Sequence, residues 1–167
     1  MSAGFQEFHR PIDGRSTVQN LSEFLSGLQA GRISTDPEYQ RDVVWTEDKQ
    51  ESFMGFLLEG GPSPSIFLRE VFNREDGVEY EVVDGKQRLT TIRRWFAGEI
   101  GARLMDGRIV QHSEFDTTEL RLLRLRVSFP TVIIQGDDKY VMSVYLRING
   151  GTPHTPEELA RVRALIG

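Results

Sequence analysis

The chain contains no cysteine, only three histidines (His9, His112 and His154) and no apolar run of membrane-spanning length. Without cysteine there is no disulfide framework, no thiolate metal site and no cysteine nucleophile. Histidines so few and so scattered leave a zinc site in need of unusual ligands. A bilayer-crossing helix takes about 20 mostly apolar residues. Neither such a run nor a secretory leader pattern is present, so the expectation is a soluble cytoplasmic protein. Net positive charge is also lacking: 25 acidic residues against 20 Lys and Arg leave −5. Nucleic-acid binding rests on neutralising phosphates, so a surface that grips DNA all round is excluded and only a local basic patch stays open. Internal repeats and low-complexity segments are absent too.

What is present fits one domain: 167 residues, 38% hydrophobic and 27% charged, enough for a real core. Residues 1–14, with Pro11 and Gly14 and no periodicity, read as an N-terminal arm, and residues 15–167 as the domain. Ser16 and Gln19 have capping-box spacing, and Val18, Leu21, Leu25 and Leu28 then form one helical stripe. Pro37 interrupts the stretch from Ile33 to Trp45. Thr46 caps a second helix with Phe53, Phe56 and Leu57 on its buried side. Ile66 to Phe72 and the run from Val78 make a hairpin, and Asp106-Gly107 centres a second, tighter one. Thr117 to Arg126 reads as helix, and Phe129 to Ile134 as a buried strand with Pro130 near its start or on an edge. Asp137 caps a helix with stripe Val141, Val144, Tyr145 and Ile148, which exits through Asn149-Gly150-Gly151. Thr155, Pro156 and Glu158 open a last short helix. Helices mixed with short hairpins indicate an α+β fold.

The centre of interest is Val82-Val83-Asp84-Gly85-Lys86-Gln87-Arg88-Leu89-Thr90-Thr91. An alternating strand stops at Asp84-Gly85, and a helix with Leu89, Ile92 and Phe96 on one face begins at once. A helix opening carries unpartnered N–H groups and partial positive charge. With Lys86 and Arg88 beside it, this is a plausible phosphate cradle. The same residues also fit a plain capping box between Asp84 and Gln87. Two further polar loops break well-patterned elements: Tyr39-Gln40-Arg41 with nearby Trp45, and Asn149 to Thr152.

Pro-Glu-Tyr-Gln-Arg then Trp, Asp-Gly-Lys-Gln-Arg-Leu-Thr-Thr, and Arg-Ile-Asn-Gly-Gly-Thr-Pro occur in that order. The set resembles the N-terminal domain of GmrSD-type restriction systems, within the ParB/sulfiredoxin superfamily, over roughly residues 18 to 160. The resemblance implies a single compact α+β domain, short hairpins packed by helices, that binds and in several members hydrolyses a nucleoside triphosphate with Mg2+. Carried over by position, Gln40, Arg41, Gly85, Lys86, Arg88, Asn149, Gly150 and Gly151 would hold the nucleotide. Asp84, Gln87 and Arg88 would be catalytic, and Asp84 would hold the metal. Arg41 and Arg88 would face one anion-sized hollow, and Arg88→Ala is expected to abolish binding with the fold intact.

Two departures from the family pattern matter. Lys86 stands where the motif has Gln, and an ammonium donates hydrogen bonds but cannot accept one; binding is favoured over hydrolysis. No C-terminal HNH-type nuclease domain is expected with this domain, so cleavage would need a separate nuclease subunit. The expected setting is restriction or phage defence. The alternatives are a ParB-like DNA-binding or nuclease protein, or a catalytically lapsed decoy from a mobile element. Arg93, Arg94, Arg103, Arg121, Arg124 and Arg126 read as a solvated face balanced by Glu114, Asp116 and Glu119, although they could meet DNA. Trp45 reads as core beside its loop, and His112 and His154 as surface.

Overall fold

The computed structural model describes residues 14–35, 45–72 and 74–149. In chain order the elements are β1 (Gly14–Asn20), α1 (Leu21–Gln29), β2 (Ile33–Ser34), α2 (Glu47–Leu58), β3 (Ile66–Glu70), β4 (Tyr80–Asp84), α3 (Lys86–Phe96), β5 (Ala102–Arg103), β6 (Ile109–Val110), a 3-10 turn (His112–Glu114), α4 (Thr117–Arg126), β7 (Ser128–Ile134) and α5 (Asp138–Asn149). The α+β class is borne out. No helix among the described residues is long and apolar enough to cross a membrane.

Five strands form one sheet in the order β1-β7-β3-β4-β2, and β5 with β6 form a separate two-stranded ribbon. The β1–β7 and β3–β4 pairs are antiparallel, while β3–β7 and β2–β4 are parallel. Strand side chains alternate between faces. Ile66, Leu68, Val82, Phe129 and Ile133 therefore join one core cluster with Leu21, Phe24, Met54, Leu57, Leu89, Ile92 and Trp95 from the helices. Phe67, Val83, Val132 and Ile134 join a second cluster under Val141, Met142, Val144 and Tyr145 of α5. The sheet is thus covered on both faces, which is what its nearly unbroken apolar strands require. Pro130 is tolerated in β7 because β3 begins to pair one residue later, at Thr131, so the missing N–H costs no ladder bond to that neighbour.

Three expectations are corrected. Residues 14–20 are strand, not helix or arm: Gly14 lies opposite Ile134 and Asn20 opposite Ser128, and Val18 is 67% exposed. The helix starts four residues later on a capping box in which Asn20 and Glu23 bond each other's backbone N–H. In α2, Thr46 is the cap as expected, but Phe56 faces solvent while Gln50, Glu51, Met54 and Leu57 face inward. His112 is half-buried, its ring 5.3 Å from Trp95 and 5.5 Å from Phe96. The last predicted helix, the exit loop after Asn149 and the residues before Gly14 lie outside the described residues.

Candidate nucleotide-binding site

Asp84 ends β4, and the chain turns into α3 through Gly85. Gly85 has φ +115°, a left-handed conformation that side chains rarely adopt. A Cβ there would also sit 2.4 Å from Cδ1 of Ile66. The glycine is therefore the N-cap of α3, and its carbonyl accepts the first helical bond, from the N–H of Leu89. The Asp84–Gln87 capping box does not form, because Asp84 still belongs to the strand and no side chain caps the helix. Asn20, Thr46 and Asp116 cap α1, α2 and α4 respectively, each with an acidic residue in the first turn. Helix α3 has neither, and carries Arg93 and Arg94 in its last turn. The positive end of its dipole is not offset by a carboxylate on the helix itself.

Arg88 turns inward. Its Nη1 donates to the carbonyls of Pro64 (2.7 Å) and Ser65 (3.0 Å), and its Nη2 donates to Oδ2 of Asp84 (2.6 Å). Only 8% of the residue is exposed, and burial lowers its pKa from the ordinary value while Asp84 works the other way. The guanidinium thus ties the start of α3 to the end of β4 and to the loop leading into β3. By this geometry the side chain anchors the turn, so Arg88→Ala is expected to cost stability.

Gln87 is a junction. Its Oε1 accepts the backbone N–H of Trp45 (3.1 Å), and its carbonyl accepts the hydroxyl of Thr91 (2.7 Å). The Trp45 ring packs edge-on against Phe53 at 5.3 Å, with Lys49 Nζ 4.7 Å from its centroid. Lys86 is half-buried at the first helical position. Gln40 and Arg41, and Gly150 and Gly151, lie outside the described residues, and Asn149 is the last residue of α5. The structure therefore brings together Asp84, Gly85, Lys86, Gln87 and Arg88, with Trp45 against them.

Residues 21–164 match the family described as GmrSD restriction endonuclease, N-terminal domain. This chain belongs to that family. No curated protein matches it. Among solved structures it is similar to the C-terminally truncated chromosome-partitioning protein ParB from Caulobacter crescentus complexed with CTP-gamma-S, at 16% identity and a TM-score of 0.46. That match covers 92% of this chain and 63% of the ParB chain, so the chain spans less than two-thirds of its length.

Among the described residues no three His, Asp or Glu side chains gather as a protein-built cage for Mg2+. Asp84 already has a guanidinium on one oxygen. Three of the six arginines of the basic face are also committed. Arg94 bonds Glu99 and Gln50, Arg103 bonds Asp48 and Glu51, and Arg124 stacks on Phe96 at 4.8 Å. The expected counter-charges Glu114, Asp116 and Glu119 instead cap the 3-10 turn and α4. Residues the sequence reading missed are Pro64, Ser65 and Gln50. Only Gln50 left a signal: an amide at helical spacing with Met54 and Leu57.

Proposed function

We propose that this domain binds a nucleoside triphosphate at the opening of α3, and that it serves a restriction or phage-defence system as a nucleotide-responsive module. The observation that carries the reading is the opening itself: a helix of the GmrSD N-terminal family that starts on a left-handed glycine, with no side-chain cap, no acidic first turn and Lys86 in its first position. Backbone N–H groups, dipole and ammonium there favour an anion. Arg88 shapes the turn from behind.

Two further segments are proposed to complete the site. Arg41 and Gln40 precede Trp45 by four and five residues, and Trp45 is bonded to Gln87, so the chain tethers them to the motif. Helix α5 starts where Arg69, near the end of β3, bonds Asp138 and the carbonyl of Gly136. It then packs over Val83 and Phe67, and Phe67 lies opposite Asp84. That course runs toward the Asp84 end of the sheet, and the reading gives Asn149, Gly150 and Gly151 to the site by their place after it in the sequence. Mg2+ would arrive on the phosphates and keep most of its waters, as this ion commonly does, with Asp84 as an outer partner.

The reading is binding without efficient turnover. Activating water requires a group to position it and take its proton. Lys86 cannot accept, Oε1 of Gln87 already accepts from Trp45, and Asp84 is paired with Arg88. The test is melting temperature with ATP, GTP, CTP and UTP, each with and without Mg2+. Ligand at 100 times its Kd adds about 2.7 kcal/mol to the folded state, which is a shift of about 8 °C for a domain of this size. Lys86→Ala should lower the shift, measured against the variant's own ligand-free melting temperature. No shift with any nucleotide, with a salt-sensitive shift on DNA, would instead favour the ParB-like DNA-binding alternative.

A further inference from the structure

We propose that the groove between α4, the end of α2 and the β5–β6 ribbon is a docking site for a partner protein, which enters it as a helix carrying apolar anchors flanked by acidic residues. The proposal stands apart from the nucleotide reading. The groove has a volume of about 770 Å3, within the usual range of pockets that bury a ligand. Its walls carry Leu58, Val110, Phe115, Leu123 and Val127, each only half-buried although packed against the main core. Helix α4 forms one side and buries none of its 10 residues. At helical spacing Arg121, Leu125, Leu122 and Arg126 share its outer face. Leu122 is 44% exposed and Leu125 52%, and Leu122 and Arg126 line the groove itself. Single exposed leucines are ordinary. A half-open apolar groove continued by two of them is a patch of the kind that meets a partner.

Charge chooses the partner. Among the described residues neither Arg121 nor Arg126 is paired with a carboxylate. The carboxylates that line the groove serve backbone N–H groups instead. Glu59 accepts from Met105 at 3.0 and 3.2 Å, and Glu119 accepts from Asp116 at 2.8 Å. Two guanidinium groups are thus open to bidentate pairing with a partner's Asp or Glu. DNA fits less well, because phosphates call for a dense cationic surface. Here two leucines stand between the arginines, in a chain of net charge −5. Strand addition fits poorly too: the strand segment that reaches the groove, Ser128 to Pro130, ends on a proline with no N–H to give. A helix laid beside α4 meets both requirements, with its apolar face in the groove and its acidic flank on Arg126 and Arg121.

The test uses the whole chain and three labelled synthetic peptides of about 15 residues, long enough to form helix. The first carries leucines at i, i+3 and i+7 flanked by glutamates. The second has lysines in place of the glutamates, and the third is a scramble of the first. Fluorescence anisotropy reads binding. The glutamate peptide should bind saturably, roughly tenfold or more tighter than the other two, as expected of anchors in a groove with matched charge. Leu122→Asp should weaken it by roughly the same factor. Phe72→Asp, at a 65% exposed ring outside the groove, should leave it unchanged. Arg126→Glu should move the preference toward the lysine peptide, a gain that an unfolded variant cannot produce. Absence of saturable binding, equal binding of all three peptides, or binding indifferent to Leu122→Asp overturns the proposal. Duplex DNA that displaces the peptide and is lost with Arg121→Glu but not with Leu122→Asp would make the face a DNA surface instead. Sedimentation showing a dimer that Leu122→Asp dissolves would give the groove to a second copy, which also overturns it.

Discussion

Replacing Arg88 by alanine should cost the fold about 3 kcal/mol. The substitution removes three hydrogen bonds, to Pro64, Ser65 and Asp84. It leaves a carboxylate and two carbonyls without their donor. Breaking a buried ion pair from one side costs roughly 3–5 kcal/mol. The Asp84 side chain is 28% exposed, so water can reach it, and the low end of that range applies. For a domain of 150–250 residues, about 3 kcal/mol lowers the melting temperature by roughly 6–12 °C. Urea unfolding measures the loss directly, as a fall in midpoint at unchanged slope. A cycle with Asp84→Asn isolates the pair: the double variant should lose less than the sum of the singles, by roughly 1–3 kcal/mol. Arg88→Lys should fall between wild type and alanine, since a single ammonium cannot reproduce a fork that reaches three acceptors. A loss below about 1 kcal/mol, or strict additivity in the cycle, would refute the anchor and return Arg88 to the list of free phosphate ligands.

Gly85→Ala should destabilise by about 2 kcal/mol from its left-handed backbone, and more from the 2.4 Å approach to Ile66. Pairing it with Ile66→Val should recover the steric part in the same thermal melts. Acid should unfold the domain partly through Glu70, whose pKa is lowered by the bond from Arg15 and then by the one from Gln135. A depressed folded-state pKa contributes stability above the ordinary carboxylate value of about 4.3 and loses it as pH falls through the folded value. Glu70→Gln should flatten stability against pH in that window, and an unchanged slope would contradict the pairing. Phosphate release by the wild type in saturating nucleotide and Mg2+ should stay at background, and steady turnover would contradict binding without hydrolysis.

Most elements were legible because their signals are local. The α4 bounds, the Asp-Gly hairpin, the Thr46 and Asp137 caps and the strand–turn–helix at Asp84 are all written within a few residues of where they act. Residues 14–20 were not, because what makes them a strand is β7, over a hundred residues further on. The Ser16–Gln19 spacing imitates the true box at Asn20 and Glu23. Similarly, Asp84 and Gln87 have capping spacing, but the left-handed turn at Gly85 shifts the helix start and gives Asp84 to Arg88. Apolar periodicity places Phe56 inside because it cannot see that Gln50 and Glu51 are buried by their partners. The site was legible as a motif, whereas the inward turn of Arg88 depends on carbonyls at Pro64 and Ser65 that no local pattern announces.

The most direct test of the central claim is calorimetric titration of the four nucleoside triphosphates, with Mg2+, into wild type and Lys86→Ala. The account predicts saturable binding of at least one nucleotide by the wild type. It predicts affinity reduced by roughly tenfold in the variant, the loss expected for one charge-assisted contact. Equal affinity in both proteins, or no heat with any nucleotide, would contradict an anion site at the opening of α3.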